Sequence, residues 1–194
     1  DSDELGHIEW RGRNDNSQDV SYAQIRTVAR DVSDGTEDSR MIQYIMQNGT
    51  AVIGFKSDDA EFAINESSVD MDFRVESNGN ANMFFVDGGN DRVSIGTNSP
   101  EKLFDIRGSA DNTLLEAIQL TNTDWASGET GQQIAVNFKL QRGSAGIYDA
   151  GRITVGKDDD WDDAGASDSH MAFHTTLNGT RAEKMRITSA GNVG

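Results

Sequence analysis

Apolar and polar residues alternate with a period of two along most of the chain. In MDFRVE, Met71, Phe73 and Val75 fall on one side and Asp72, Arg74 and Glu76 on the other. IAVNFKL repeats the pattern with Ile134, Val136, Phe138 and Leu140, and HIEWRG with Ile8 and Trp10. Successive side chains of an extended strand point to opposite faces, so this period predicts half-buried β-strands. Between the strands stand Asn48-Gly49, Asn78-Gly79 and Asn178-Gly179. Asn-Gly supplies the two positive-φ residues of a type I′ turn, whose twist matches that of the flanking strands. GGND at Gly88 to Asp91 predicts a similar turn, and the single proline, Pro100 in TNSP, an extended connector or a turn. One segment is ambiguous. In NTLLEAIQLTNT, Leu114, Leu115 and Ile118 fit a helix capped by Asn112, while Leu114, Ile118 and Leu120 fit one face of a strand. The Thr-Asn ending favours the strand, which is the expectation.

The chain writes one stretch nearly twice: DSRMIQYIMQNGT from Asp38 and DSHMAFHTTLNGT from Asp168. The likeness extends upstream, where YAQI at Tyr22 to Ile25 parallels YDAGRI at Tyr148 to Ile153. An acidic loop follows each, RDVSDGTED in the first and KDDDWDDAGASD in the second. The offset is 128 at Ile25/Ile153 and 130 at Asp38/Asp168, so the second loop has gained two residues. The predicted organisation is a β-module (1–55), a connector or shaft segment (56–112), a second β-module (113–187) and the start of another connector (188–194), whose SAGNVG echoes GGNDRVSIG. Both ends read as cuts in a longer polypeptide.

Composition narrows the partners. Among 194 residues, 33 are acidic and 17 basic, for a net charge of -16. Nucleic acid and anionic membrane are poor partners for such a chain, because phosphate binding needs the opposite charge. No apolar run approaches membrane-spanning length. With no cysteine, neither disulfides nor thiolate metal sites hold the fold. An apolar fraction of 35% is lean for a self-sufficient globule, yet the strand patterning is strong. A lean core with strong strands is expected where partner subunits complete the core.

Candidate chemistry is sparse. His170 and His174 have the HxxxH spacing of a helical zinc site, but Met171 stands where the protease motif has its Glu. The segment also reads as a strand, over which four residues span about 13 Å, too far for two ligands about 2 Å from one metal. Asp158, Asp159, Asp160, Asp162 and Asp163 suggest calcium, but the EF-hand template fails, with Asp163 at its glycine and Ser169 at its final Glu. The run reads as a solvated loop keeping strand edges apart, with a loose calcium or magnesium site as the alternative. No carboxylate pair is singled out for glycoside hydrolysis, and no nucleophile elbow, P-loop or dinucleotide fingerprint is present. NGT and NES match glycosylation acceptors, but Asn48 and Asn178 are accounted for as turn residues. No catalytic residue, cofactor or metal ligand is expected.

Taken in order, DELGHIEWRGR, the Tyr22–Thr50 stretch, the Asp72–Gly108 stretch and AEKMRITSAGNVG resemble repeats of bacteriophage tail-fibre and related virion fibre proteins. In that family a GNVGIGTxxPxxxLDV-like element links successive β-modules. DRVSIGTNSPEKLFDIRG (Asp91 to Gly108) is similar to it, with Phe104 inserted between the usual Leu and Asp. The resemblance covers nearly the whole chain. It implies an all-β, elongated homotrimeric fibre segment of two repeated antiparallel β-modules joined by an intertwined connector. It also implies a place on the virion, assembly in the host cytoplasm, contact with other virion proteins, and adhesion to a bacterial surface or bracing of the particle.

Elementary energetics agrees with a trimer, since short hairpins are marginal alone and three chains around one axis can each turn an apolar face inward. Met71, Phe73, Val75, Phe85, Val93, Ile95, Leu103 and Ile106 are the expected interior. Charge would then decorate the outside, at 3 × -16 = -48 per trimer. Binding to host polysaccharide or protein would belong to the loops Asp31–Glu37 and Lys157–Ser167. In the second of these, Asp160, Trp161 and Asp162 form the candidate surface site. Trp161 either meets a sugar or tucks under its own loop. Two rival readings are a tail-spike depolymerase and a bacterial adhesin stalk. The first predicts stacked repeats of about twenty residues, shorter than the repeat observed. The second needs a secretion signal and an anchor elsewhere in the polypeptide.

Overall fold

A computed structural model describes residues 3–124, 126–162 and 167–194. The described residues form thirteen strands in three sheets and no helix, so none is present that could cross a membrane. The chain divides into two compact units, 1–117 and 118–194. In the first unit, β1 (Glu4–Arg13), β2 (Asp19–Asp31), β3 (Asp38–Gln47), β4 (Thr50–Ser57) and β5 (Phe62–Ile64) form an antiparallel meander, sheet A. Then β6 (Phe73–Ser77), β7 (Asn80–Asp87), β8 (Arg92–Ile95) and β9 (Phe104–Ile106) form sheet B, antiparallel except for the β8–β9 pair. In the second unit, β10 (Gln133–Gln141), β11 (Ile147–Lys157), β12 (Ser169–Leu177) and β13 (Thr180–Ile187) form sheet C, another meander.

The repeat in the sequence is a repeat in register. Ile8 pairs with Ile25 and Val136 with Ile153, each offset by 128. The β1–β2 ladder breaks between Trp10 and Arg11, and the β10–β11 ladder between Phe138 and Lys139, at the same offset. After the acidic loops the offset is 130, and the ladders break between Gln43 and Tyr44 and between Phe173 and His174. Sheet C therefore copies β1–β4 together with these two irregularities, while the breaks of sheet A at Glu4/Gly6 and Ala29/Asp31 are its own. β5 follows only in sheet A.

Two of the three Asn-Gly turns take the conformation expected. Asn48 (φ 49°) with Gly49 (φ 79°) and Asn178 (φ 51°) with Gly179 (φ 83°) are left-handed at both residues. Asn78-Gly79 also joins two strands but is not a type I′ turn, since neither residue has positive φ. There the β6–β7 ladder breaks between Val75 and Ser77, and such an irregularity supplies twist the turn would otherwise provide. In GGND only Asp91 has positive φ (56°), and its glycines serve close approach instead. A Cβ on Gly88 would lie 2.4 Å from the Met71 carbonyl oxygen. The strand expected within 112–123 is absent. No strand occurs among the described residues from Arg107 to Gln132, and none of the three sheets includes the segment.

The parallel β8–β9 pair is joined by only the eight residues Gly96–Leu103, shorter than the dozen or more a parallel crossover usually takes. Gly96 opens the turn at φ 83°, and a Cβ there would lie 2.0 Å from the Arg107 carbonyl oxygen. The Ser94 hydroxyl donates to the Thr97 carbonyl at 2.6 Å, and Arg92 Nη1 to the Pro100 carbonyl at 2.6 Å. Pro100 is buried. The connector motif is thus a tight loop folded over one face of sheet B.

Candidate functional site

Residues paired across neighbouring strands place their side chains on one face, so the registers define each face. In sheet B, Phe73 pairs with Val86 and Val75 with Phe84; Val86 pairs with Val93, Val93 with Phe104, and Ile95 with Ile106. All eight share one face. Phe73 and Phe84 meet edge-to-face with ring centroids 6.4 Å apart, a favourable aromatic geometry. Phe73, Val75, Phe84 and Phe104 are nonetheless exposed. The opposite face carries Phe85 and Ser94, both buried on the side to which the Gly96–Leu103 loop is bonded.

Sheet C is arranged alike. Ile134, Val155, Met171 and Ile187 run across one face, with Val136, Ile153, Phe173 and Met185 beside them. Val136, Val155, Met171 and Met185 are exposed. Thr154, His170 and Ala172 are buried on the other face, where Ala135, Thr154, Ala172 and Arg186 align, while Lys157, also buried, shares the apolar face. Thr154 and Ala172 are each 1% exposed. In sheet A the equivalent apolar face bears Ile8, Trp10, Ile25, Met41, Ile45 and Phe55, with Ile8, Trp10 and Met41 exposed. Among the described residues five apolar ones are buried while twenty-nine large apolar ones are exposed, the reverse of a self-contained core. The accessible surface is 13870 Å², against roughly 9,000 Å² for a globular monomer of this mass.

Of the eight interior candidates, Phe73, Val75, Val93, Ile95 and Ile106 lie together on the open face of sheet B. None of the other three is a strand residue of that face. Phe85 faces the opposite way and is covered by its own chain. Met71 precedes β6 and lines a cavity of about 360 Å³ with Ile64, Phe73 and Val86. Leu103 sits at the end of the crossover loop, before β9 begins. Sequence reasoning missed Phe84, Val86 and Phe104 here, and the matching faces of sheets A and C. The signal for the latter was present in the IAVNFKL and HIEWRG alternations.

No protein-family model matches the chain, and no curated protein sequence does. Solved structures similar to it include two forms of one domain. The carboxy-terminal domain of the bacteriophage T5 L-shaped tail fibre is 10% identical with a TM-score of 0.37, covering all of this chain and 79% of that one. The same domain with its intramolecular chaperone domain is 12% identical with a TM-score of 0.38, covering all of this chain and 55% of that one. Both superpositions are loose.

The candidate surface loop is partly pinned. Asp162 Oδ2 accepts from Ser127 Oγ at 2.7 Å and from the Gly128 amide at 3.2 Å, and the Asp160 side chain accepts from the Asp162 amide. Trp161, at φ 58°, donates its indole N–H to the Asp168 carbonyl at 2.7 Å, and the Lys157 ammonium lies 5.3 Å from its ring centroid. The residue is still 41% exposed and borders a cleft of about 210 Å³ with Leu120, Gln132, Gln133, Ile134 and Val155. Trp161 thus combines the two fates expected of it. Asp163 and residues 164–166 lie outside the described residues. Two acids of the loop Asp31–Glu37 bond within it: Asp31 accepts from the Ser33 amide and the Thr36 hydroxyl, and Glu37 from the Gly35 amide. The Ser33 bonds hold the Asp31 carboxyl below its ordinary range.

Ion pairs close the ends of the meanders. Asp58, its side chain only 2% exposed, lies within 3.7 Å of Arg30, Arg40 and Lys56. Lys56 also donates to Glu61 at 2.7 Å and Glu66 at 2.8 Å, and these carboxylates hold its ammonium well above the ordinary lysine value. In sheet C the positions of Arg40 and Lys56 are taken by His170 and Arg186, which meet Asp158 at 2.6 Å and 3.4 Å. His174 instead faces Thr154, 3.3 Å away. The two histidines of the HxxxH spacing therefore take separate partners along a strand. No group of three metal-ligating side chains occurs among the described residues.

Proposed function

We propose that the chain is a non-enzymatic structural segment of a bacteriophage fibre, a tail fibre foremost, that works as a homotrimer in the virion. The observation that carries this reading is that each of the three sheets leaves large apolar side chains exposed across one face. A monomer in water would expose those faces at a cost of about 25 cal/mol per Å², and three copies around a common axis can turn them toward one another. The connector motif of the virion-fibre resemblance supports the assignment to a fibre. The charge of -16 per chain then lies outward, which favours solubility and disfavours lateral association.

In this reading the segment transmits length and stiffness and supports host-surface attachment. Contact with host polysaccharide or protein falls to exposed loops such as Asp160–Asp162, and other virion proteins join the segment beyond its ends. Light scattering on the purified chain tests the proposal. A mass near three times the 21.1 kDa of one chain supports it. A species of single-chain mass at micromolar concentration removes its basis.

A further inference from the structure

The stretch between β9 and β10 is long for a connection without secondary structure among its described residues. Within it, residues 113–121 (TLLEAIQLT) carry a single charge, Glu116, in a chain that is otherwise strongly acidic. Leu114, Ile118 and Leu120 alternate as on a strand and are 80%, 66% and 54% exposed. No backbone hydrogen bond among the described residues ties this stretch to a strand. A patterned segment with free backbone groups and exposed apolar side chains is a strand lacking a neighbour.

A suitable neighbour exists in sheet C. β10 is its outermost strand and pairs only with β11. It is nine residues long, as is 113–121, and Lys139 is its only charge. Val136, Phe138 and Leu140 are exposed along it. Exposed edges are normally short, charged or covered, and this one is long, with Lys139 and the break beside it confined to its far end. Folding back onto β10 of the same chain is open to the segment: Asn122 Nδ2 donates to the Gln133 carbonyl at 3.3 Å, which sets the end of the stretch beside the start of β10. Yet no such ladder occurs among the described residues.

We infer that residues 113–121 add as an extra strand to the free edge of β10 in a second copy of this chain. Each copy gives one strand and receives one. Such a head-to-tail contact closes into a ring when the rotation between copies is right, and the low charge of both strands limits repulsion between copies. The inference rests on the trimer reading above and adds the element that links the chains.

The test combines solution mass, amide hydrogen exchange and cross-linking. The expected result is a mass near three times the 21.1 kDa of one chain, with exchange in 113–121 slowed at least about 100-fold relative to unstructured chain. The chain has no native cysteine. A bismaleimide should therefore link Ile118→Cys chains to Val136→Cys chains in a co-refolded mixture, giving a band at twice the mass of one chain that neither variant gives alone. A trimer whose 113–121 amides exchange freely overturns this inference and leaves the trimer standing. So does linkage seen only when both cysteines sit on one chain. Slow exchange in a species of single-chain mass overturns the inference and the trimer together.

Discussion

Phe104 offers the sharpest test of the open faces. It stands at the start of β9, paired with Val93 on the apolar side of sheet B, and is 57% exposed. A phenylalanine presents about 200 Å², so roughly 110 Å² of ring is left for another chain to cover. At about 25 cal/mol per Å², Phe104→Ser removes about 3 kcal/mol per chain and about 8 kcal/mol from a trimer, an upper estimate if coverage is incomplete. Every 1.4 kcal/mol is tenfold in an equilibrium constant, so the trimer dissociation constant rises by about six decades. That constant carries the square of concentration, so the dissociation midpoint shifts by about a thousandfold. Sedimentation velocity across a dilution series reads this midpoint. Arg74→Ser, on the opposite face and equally accessible, serves as control and should leave it within a few-fold. An unchanged midpoint for Phe104→Ser, with a folded chain by circular dichroism, would refute the assignment of this face to the interface.

Three further outcomes follow from local chemistry. Burial of Asp58 raises its carboxyl, but the Ala60 and Glu61 amides and the Lys56 and Arg30 cations outweigh it and hold the group below its ordinary value of 3.8. Its contribution to stability is present above that value and is lost as pH falls through the lower, folded one. Asp58→Asn should therefore melt earlier than wild type at neutral pH and lose less on acidification to pH about 3, as followed by thermal denaturation. For His174, burial and then the Arg152 charge lower the imidazole from its ordinary 6.5. The neutral form is favoured by folding, so stability is full above 6.5 and declines as pH falls toward the folded value. His174→Tyr, which installs the residue found at the equivalent position of sheet A, should remove this decline from melting curves taken between pH about 7.5 and 5. Gly49→Ala, strained in φ but in open space, should cost about 1 kcal/mol. Gly96→Ala, which adds a collision with the Arg107 carbonyl, should cost several times more in urea titrations.

Much of the fold was legible because strand alternation and Asn-Gly turns are local signals. The duplicated module could be read down to the place where two residues entered, since the offset changes only across the acidic loop. What escaped was non-local. Phe84 and Phe85 are adjacent and chemically identical, and only the ladder to Arg74 and Ser94 decides which one faces the open side; a slip of one residue exchanges them. The parallel pairing of β8 with β9 left no trace in composition, because a crossover of eight residues depends on the backbone clearance at Gly96. Residues 113–121 were read as a strand from their pattern, and the pattern is sound, but a strand is defined by its partner. The interior candidates all stand in the connector, which holds five of the eight phenylalanines. Sheets A and C carry the same one-sided pattern in longer strands diluted by charge.

The coincidence of the ladder irregularities in sheets A and C has a consequence for how such a chain can change. Because the break after Gln43 recurs after Phe173, a splice between the meanders within β3 and β12 keeps every later side chain of the module on its proper side. Crossing over at the Asn-Gly turns would thus lengthen or shorten the polypeptide by whole modules without scrambling which residues share the apolar face. The two loops, one longer by two residues, show where such a unit tolerates novelty. Growth by duplication and divergence by loop are both open to this design, and neither needs a new core.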